Sequence, residues 1–421
     1  MLLYKNPSMN RISGITKEEI LQKVVNGEIK FHEIDNYLNI KDAVALRKTA
    51  VATITGTDLD NIGQFSIDEK EVSGRNIENM IGAIQIPLGV AGPITINGEY
   101  AIGEFYLPMA TTEGALVASS NRGCSVISAS GGASVRIFQD MMTRAPVFKA
   151  RDVVQAREFV DWVNDPRQFE AMKARASETT RFGELLNIAP FVVGNNIYLR
   201  FGFDTKDAMG MNMVTIACQA ISSFIKDQFD IELISLSGNM CTDKKPSAIN
   251  NILGRGKTVV SEVVISKDLI RMKLKTTPDS MAEVNYKKNL LGSARAGSTG
   301  FNAHVANIVA AMYLACGQDA AHVVEASSAI TTMELTKDGD LHCCVTLPAI
   351  QVGTVGGGTG IATQRECLEI LGVAGAGDPP GTNAKKLAEI IGAAVLAGEI
   401  SLIGAQAAGH LARAHQQLGR K

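Results

Sequence analysis

The sequence predicts an α+β protein in which a compact β-α-β-β-α-β unit interrupts a larger mixed α/β domain, with a small helical segment in front. Three observations predict it. Hydrophobic periodicity switches between strand and helix spacing from Arg144 to Leu236, glycine-rich stretches of similar composition flank that region, and short charged helical patterns fill the first seventy or so residues. At 421 residues the chain is too long for one core, and each domain can bury enough apolar surface to fold without covalent staples.

Lys17–Asn26 and Asp42–Thr53 carry the helical patterns of a small N-terminal domain, residues 1–77. From Ile77 to Ser134 the texture turns to Gly, Pro, Ser and Thr with few charges, which suits tight backbone turns around a ligand better than a layered core. Ala145–Phe148 reads as a short strand, and Val153, Val154, Phe159, Val160 and Val163 mark one helix face. A strand near Phe182–Val192 comes next, and Ile197, Leu199, Phe201 and Phe203 then alternate as a strand. Val214, Ala217, Ile221, Phe224 and Ile225 return at helical spacing, and Ile231–Leu236 closes the unit. The order is that of a ferredoxin-like fold inserted as residues 146–235 into a domain made of 78–145 and 236–421. Beyond it lie a helix from about Ala303, a loop at Gly353–Gly360 and a long apolar helix from Ala384, capped by Thr382 or Asn383.

Lysine and arginine total 41 against 43 acidic residues, for a net charge of −2, with no long run of one sign. This balance argues against nucleic acid or an anionic membrane as partner. The seven cysteines are odd in number and lack CxxC spacing, which fits a reducing cytoplasm. Met1–Asn10 has no apolar core, so neither a leader nor an anchor is expected there. The uncharged part of Ala296–Gln318 is long enough to suggest a membrane span, but Ser298, Thr299, Asn302, His304 and Asn307 are costly in lipid, and a loop feeding a buried helix is the better reading.

Several common signatures fail. Gly254–Thr258 resembles the end of a P-loop, yet Asn251 stands where its first glycine is needed. No GxGxxG opens a helix, so a nicotinamide cofactor would have to bind outside a Rossmann unit. HExxH, GxSxG and clustered His/Cys patterns are absent, leaving no ligand set for a metal.

The remaining motifs each admit two readings. Glu113 is the one acid in Pro108–Cys124; buried among small residues it would become a proton donor, and otherwise it caps a helix. Asp243, Lys244 and Lys245 share a turn stopped by Pro246, able to grip a carboxylate or an oxyanion, or to be solvated surface. Asp319 in Gly317-Gln-Asp319 ends an Ala-rich helix and needs a cation such as Lys244 if ionised. His410 and His415 near the C-terminus are surface residues or, for a mobile His415, an acid for a departing thiolate. Asp207–Met213 opens a helix whose free N–H groups suit a pyrophosphate, although its three methionines also suit a core.

Taken together and in order, Glu113, Asp243-Lys244-Lys245, Gly317-Gln-Asp319, His415, Asp207–Met213 and Gly353–Thr359 resemble the signature set of the HMG-CoA reductase family, with the match running from about Glu78 to His415. The resemblance implies NADPH-dependent four-electron reduction of (S)-HMG-CoA to (R)-mevalonate and CoA through mevaldyl-CoA and mevaldehyde. It implies that Lys244 stabilises the oxyanion, Asp319 holds that lysine, Glu113 protonates the aldehyde stage and His415 protonates departing CoA. Arg144, Ser237, Asp243 and Lys245 match positions around the hydroxymethylglutaryl group. Glu78 and Asn79 match the border with CoA, and Lys288, His304 and Asn307 match further pocket positions. Asp207, Met209, Gly210, Met211, Asn212 and Gly356 match dinucleotide-binding positions in a non-Rossmann NADP-binding domain, and Thr180-Arg181 matches the 2′-phosphate site.

The Met-Gly-Met-Asn-Met helix start resembles the biosynthetic class I type, and the lack of a span or a serine after the last histidine resembles a soluble prokaryotic form of archaeal type. The family's shared interfaces imply at least a homodimer, with a tetramer for this class, in the cytoplasm and with no metal, membrane or nucleic acid. Two alternatives stand beside this: an NAD-linked enzyme of the same fold running oxidatively in mevalonate catabolism, and a non-catalytic CoA-thioester binding protein.

Overall fold

The computed structural model describes residues 14–409; His410 and His415 lie outside the described residues. The chain is α+β and divides into two units, one formed by the described part of Met1–Pro87 with Gly360–Arg365 and the other by Leu88–Thr359 with the described part of Glu366–Lys421.

In the first unit, α1 (Lys17–Val25) starts on a capping box between Thr16 and Glu19, and α2 (Ile40–Thr55) starts on Asn39 and stops at left-handed Gly56. The two pack through Ile20, Val24, Ala43, Leu46 and Ala50. A single turn, α3 (Glu69–Val72), follows.

The second unit is built on one continuous sheet. Its larger half takes β1 (Leu88–Asn97), β2 (Ile102–Ala110), β3 (Ala133–Arg144), β8 (Gly256–Ile265), β9 (Ile330–Leu335) and β10 (Leu341–Ile350). The order is β2-β1-β3-β8-β10-β9, antiparallel except for a short parallel contact between β1 and β3. The glycine- and proline-bearing stretch after Ile77, expected to be turns, thus supplies β1 and β2. Pro93 is tolerated there at a register shift between Ala91 and Ile94, where the ladder does not need its N–H.

The other half holds β4 (Val147–Lys149), α5 (Val153–Val163), α6 (Pro166–Ser177), β5 (Glu184–Val193), β6 (Asn196–Asp204), α7 (Met211–Gln228) and β7 (Glu232–Ser235). Strand order β7-β4-β6-β5, all antiparallel, is the ferredoxin-like arrangement. Its core is aromatic and aliphatic, with Phe148, Phe159, Phe201 and Phe203 enclosed. The periodicity reading lacks α6, because only Met172 and Ala176 of that helix are buried. The two halves are not separate sheets: Met142–Arg144 at the end of β3 pair with β6, Pro146 interrupts the strand, and Leu199 N–H donates to the Pro146 carbonyl at 3.0 Å.

The second unit also holds α4 (Leu116–Ala129), α8 (Ala248–Leu253), α9 (Lys267–Leu269), α10 (Pro278–Val284), α11 (Ser293–Ala296), α12 (Val305–Ala315), α13 (Val323–Ala326) and α15 (Thr382–Ala407), and α14 (Ala362–Ile370) is divided between the units. The long helix α15 packs on α4, α12 and strands β3, β8 and β10. Gly123 permits the crossing with α4, since a Cβ there would lie 1.9 Å from the Ala397 carbonyl oxygen. Among the described residues α15 is the one helix long and apolar enough to cross a membrane, with mean hydropathy 1.8, yet 94% of that window is buried inside the protein. Ala296–Gln318 resolves into a loop and the buried helix α12, as expected. All seven cysteines are free thiols, and burial pushes Cys124 up to about 12, so it serves packing rather than chemistry.

Candidate active site

The turn after β7 carries the lysine pair on a strained backbone. Asn239, Thr242 and Lys244 all adopt left-handed φ, at 65°, 52° and 59°, which side-chain-bearing residues avoid unless their surroundings hold them. For Lys244 the holding group is visible: its backbone N–H donates to the buried Glu325 carboxylate. Its ammonium is 2.9 Å from Asp319 Oδ2. Asp319 in turn caps the 3₁₀ turn Ala320–His322 through Ala321 N–H at 3.1 Å. Partial burial works to raise the Asp319 pKa, but the Lys244 hydrogen bond, the charge of His322 and the Ala321 N–H outweigh it and the net direction is down. The sequence pairing of Lys244 with Asp319 therefore appears in the structure as a direct ion pair.

Asp243 points the other way, into protein. It accepts from His322 Nε2 at 3.0 Å and Arg255 Nη2 at 3.1 Å, and Arg144 Nη1 stands 3.5 Å away. The His322 hydrogen bond, followed by the Arg255 charge, holds its carboxyl well below the usual range despite burial. Lys245 is exposed and donates to the Asp243 carbonyl at 2.9 Å. Ser237 lies on the same turn, its Oγ 3.8 Å from Cys241 Sγ.

Three residues here escaped the sequence reading. Arg255 is fully buried and donates to Glu325 at 3.0 and 2.8 Å as well as to Asp243. His322 and Glu325 are also buried. The available signal was spacing: Asp319, His322 and Glu325 recur every third residue, which aligns side chains along a 3₁₀ or tight helical turn. Asp243, His322 and Glu325 place potential ligand atoms within 4.8 Å of one another. The guanidinium of Arg255 already donates to both carboxylates, so this group has its cation and does not fit a metal.

Glu113 follows β2 in a loop where its N–H donates to Thr111 Oγ1 at 3.0 Å. Its Oε1 accepts from Asn307 Nδ2 at 3.3 Å. Glu113 is exposed, so the burial expected from its small neighbours is not found; those residues serve the turn into α4. His304 and Asn307 occupy the start of α12. Buried Glu399 of α15 accepts from Ala303 and His304 N–H at 2.8 Å each, and the His304 ring lies 2.9 Å from the Gly398 carbonyl. Lys288, on a π-helical segment, donates to Asn289 Oδ1 at 3.0 Å; desolvation lowers its pKa and Glu399 opposes the shift. No hydrogen bond or ion pair among the described residues joins this group directly to Lys244. Helix α12 runs between them, with Asn307 in its first turn and Asp319 past its end, about 15 Å of helix. Glu78 and Asn79 are exposed in the first unit, Asn79 with φ 50°.

The dinucleotide candidates converge at the start of α7. Gly210 caps that helix with φ 91°, and a Cβ on it would meet Thr205 at 2.4 Å. The loop from Gly353 lies against Asp207–Met209: Thr354 N–H donates to the Asp207 carbonyl at 2.7 Å, and a Cβ on Gly353 would sit 2.3 Å from Met209 N. Gly353 N–H also donates to Gln318 Oε1 at 2.9 Å, tying this loop to the Asp319 motif. Gly356, with φ 78°, faces open space. Met209 and Met211 are half-buried and Asn212 is exposed. The Asp207 carboxylate accepts from Gly377, Gly381 and Ala384 N–H groups and braces the start of α15. Thr180 donates to Met213 Sδ at 2.9 Å, which fixes the loop of exposed Arg181 beside the first turns of α7. Arg255 Nη2 lies 3.0 Å from Met211 Sδ, so the lysine turn and the helix start are neighbours.

Residues 43–420 match the family described as Hydroxymethylglutaryl-coenzyme A reductase. The chain is 57% identical over 406 residues, 96% of its length and 99% of the relative's, to 3-hydroxy-3-methylglutaryl-coenzyme A reductase of Pyrococcus abyssi. It is 53% identical over 408 residues, again 96% and 99% of the two chains, to the protein of that name from Methanocaldococcus jannaschii. The solved class II 3-hydroxy-3-methylglutaryl-CoA reductase from Streptococcus pneumoniae, bound to NADPH in open conformations, aligns with a TM-score of 0.62 and 16% identity over 90% of this chain and 100% of that one, a likeness of fold. With the match covering most of the sequence and identity above one half to full-length relatives, the chain belongs to the hydroxymethylglutaryl-coenzyme A reductase family.

Proposed function

We propose that the chain reduces HMG-CoA to mevalonate and CoA with NADPH, as a soluble biosynthetic class I enzyme of archaeal type in the cytoplasm, assembled as a homodimer or as a homotetramer made of two such dimers. The observation that carries the reading is the Lys244 ammonium held 2.9 Å from Asp319 on a turn whose backbone is anchored by Glu325. A cation fixed in advance stabilises an oxyanion without reorganising at the moment of reaction.

In this reading Lys244 meets the oxyanion at both reductive stages, and Asp319 keeps its ammonium aimed. Glu113 gives a proton to the aldehyde oxygen, and His415 protonates the departing thiolate. Arg144, Ser237 and Lys245 receive the free carboxylate of the acyl group, and Asp243 orients Arg144. Lys288, His304 and Asn307 line the pocket, and Glu78 and Asn79 border CoA. Met209, Gly210, Met211, Asn212 and Gly356 would hold the dinucleotide at the α7 N-terminus, where unbonded N–H groups favour phosphate. Thr180 and Arg181 would hold the 2′-phosphate. NADPH, when bound, supplies hydride.

The class I assignment is supported by identities above 50% to archaeal relatives against 16% to the class II structure. Oligomerisation is supported by exposed Glu113, which needs cover to act as an acid, and by exposed Ile102, Phe138 and Ile252.

Initial rates with HMG-CoA and either NADPH or NADH, following cofactor oxidation and CoA release, test the reading. NADPH is expected to be preferred; equal or better use of NADH overturns the cofactor, and no turnover overturns the reaction. In the same assay Lys244→Ala loses reduction of both HMG-CoA and added mevaldehyde, whereas His415→Gln loses only the first.

A further inference from the structure

We propose that His322 is a positioning residue for the Lys244 ammonium, a buried imidazole that couples the Asp243 carboxylate to the Asp319 carboxylate. The inference rests on the reductase reading above. His322 is fully enclosed at the end of the 3₁₀ turn that Asp319 begins. Three-residue spacing in such a turn stacks the two side chains on one face. Nε2 of His322 is 3.0 Å from Asp243 Oδ1, while Nδ1 is 3.9 Å from Asp319 Oδ2 and, though buried, has no hydrogen-bond partner.

An ionised carboxylate only accepts, so the Nε2 position carries a hydrogen toward Asp243. Nδ1 is then the variable position. Without a proton its lone pair faces the Asp319 oxygen and the two repel; with one, it attracts that oxygen and competes with Lys244 for it. The charged surroundings are otherwise balanced. Arg255, just before β8, and Lys244 from the turn face Asp243, Asp319 and Glu325, and Arg144 from β3 reaches Asp243. Tyr313 of α12 stays neutral, since burial and then the Glu325 charge push its phenol up. The Asp319 carboxyl is held down in part by the His322 charge, after the Lys244 hydrogen bond. His322 touches no proposed substrate position and acts through Asp319.

His322→Gln separates the two functions, because an amide can still donate to Asp243 but takes no proton. Its kcat for HMG-CoA is expected to fall about tenfold with KM changed less than about twofold. The acid limb of its kcat profile moves to higher pH, since Asp319 loses one of the groups that hold it ionised. A profile that superimposes on the wild type, or a change confined to KM, overturns the proposal. A second measurement needs no turnover: thermal midpoints of His322→Gln, Asp319→Asn and the double variant. Their shifts are expected to be non-additive; additivity overturns the proposal even if the chain proves inactive on HMG-CoA. His322→Asn replaces the glutamine variant in both measurements if that variant does not fold.

Discussion

Arg255 is fully enclosed, and its guanidinium is shared between Glu325 and Asp243. Removing one partner of such a pair leaves an uncompensated buried charge, which costs more than the pair contributes by existing. Glu325→Ala is expected to destabilise the fold by about 3–5 kcal/mol in urea unfolding, whereas replacing both members, Arg255→Met with Glu325→Leu, is expected to cost much less. Glu325→Ala also removes the acceptor of the Lys244 N–H, so turnover should fall in protein that remains folded. The Lys-Lys turn and its Asp319 partner were legible as a charged tripeptide on a proline-stopped turn and an aspartate beside an apolar helix. Arg255 was not: Gly254-Arg255-Gly256 looks like a failed phosphate loop, and nothing local in a sequence says that an arginine will be enclosed by carboxylates brought from elsewhere.

At the scale of elements, the start of α7 and the loop from Gly353 meet backbone to backbone. A Cβ at Gly353 would lie 2.3 Å from Met209 N and 2.9 Å from Ala208 C, and backbone cannot yield as a flexible side chain can. Gly353→Ala is expected to raise the KM for NADPH about tenfold or more and to leave that for HMG-CoA nearly unchanged. Gly356→Ala is the comparison: its Cβ meets nothing within 4 Å, so only the left-handed backbone is penalised, at about 1 kcal/mol. An equal effect of the two substitutions on NADPH would rule out close approach as the cause. Legibility follows the same physics. Strand β6 and helix α7 showed in the sequence because one face of each is apolar at regular spacing; α5 showed through Phe159 and Val163, whereas Val153 and Val154, read as part of the same face, are exposed. Helix α6 buries too little to show, and β1 is hidden by the glycines and proline of its bulged course.

Across the molecule as described, the carboxyls of Asp204, Asp243 and Asp319 share one direction of shift. For Asp204 and Asp319 burial pushes upward and cationic partners prevail; for Asp243 the His322 hydrogen bond leads. A carboxyl whose folded pKa lies below its unfolded value of about 3.9 adds stability that is fully present above that value. The contribution is lost as pH falls through the folded pKa, because the unfolded chain binds the proton first. These three groups therefore contribute nothing to any change between pH 8 and about pH 5, and their loss begins below about pH 4. The thermal midpoint is expected to fall through that acid window, and Asp243→Asn, which removes the most strongly shifted of the three, should flatten the fall. An undiminished acid slope in that variant would mean that carboxylates outside the active-site network set the acid limit of the fold.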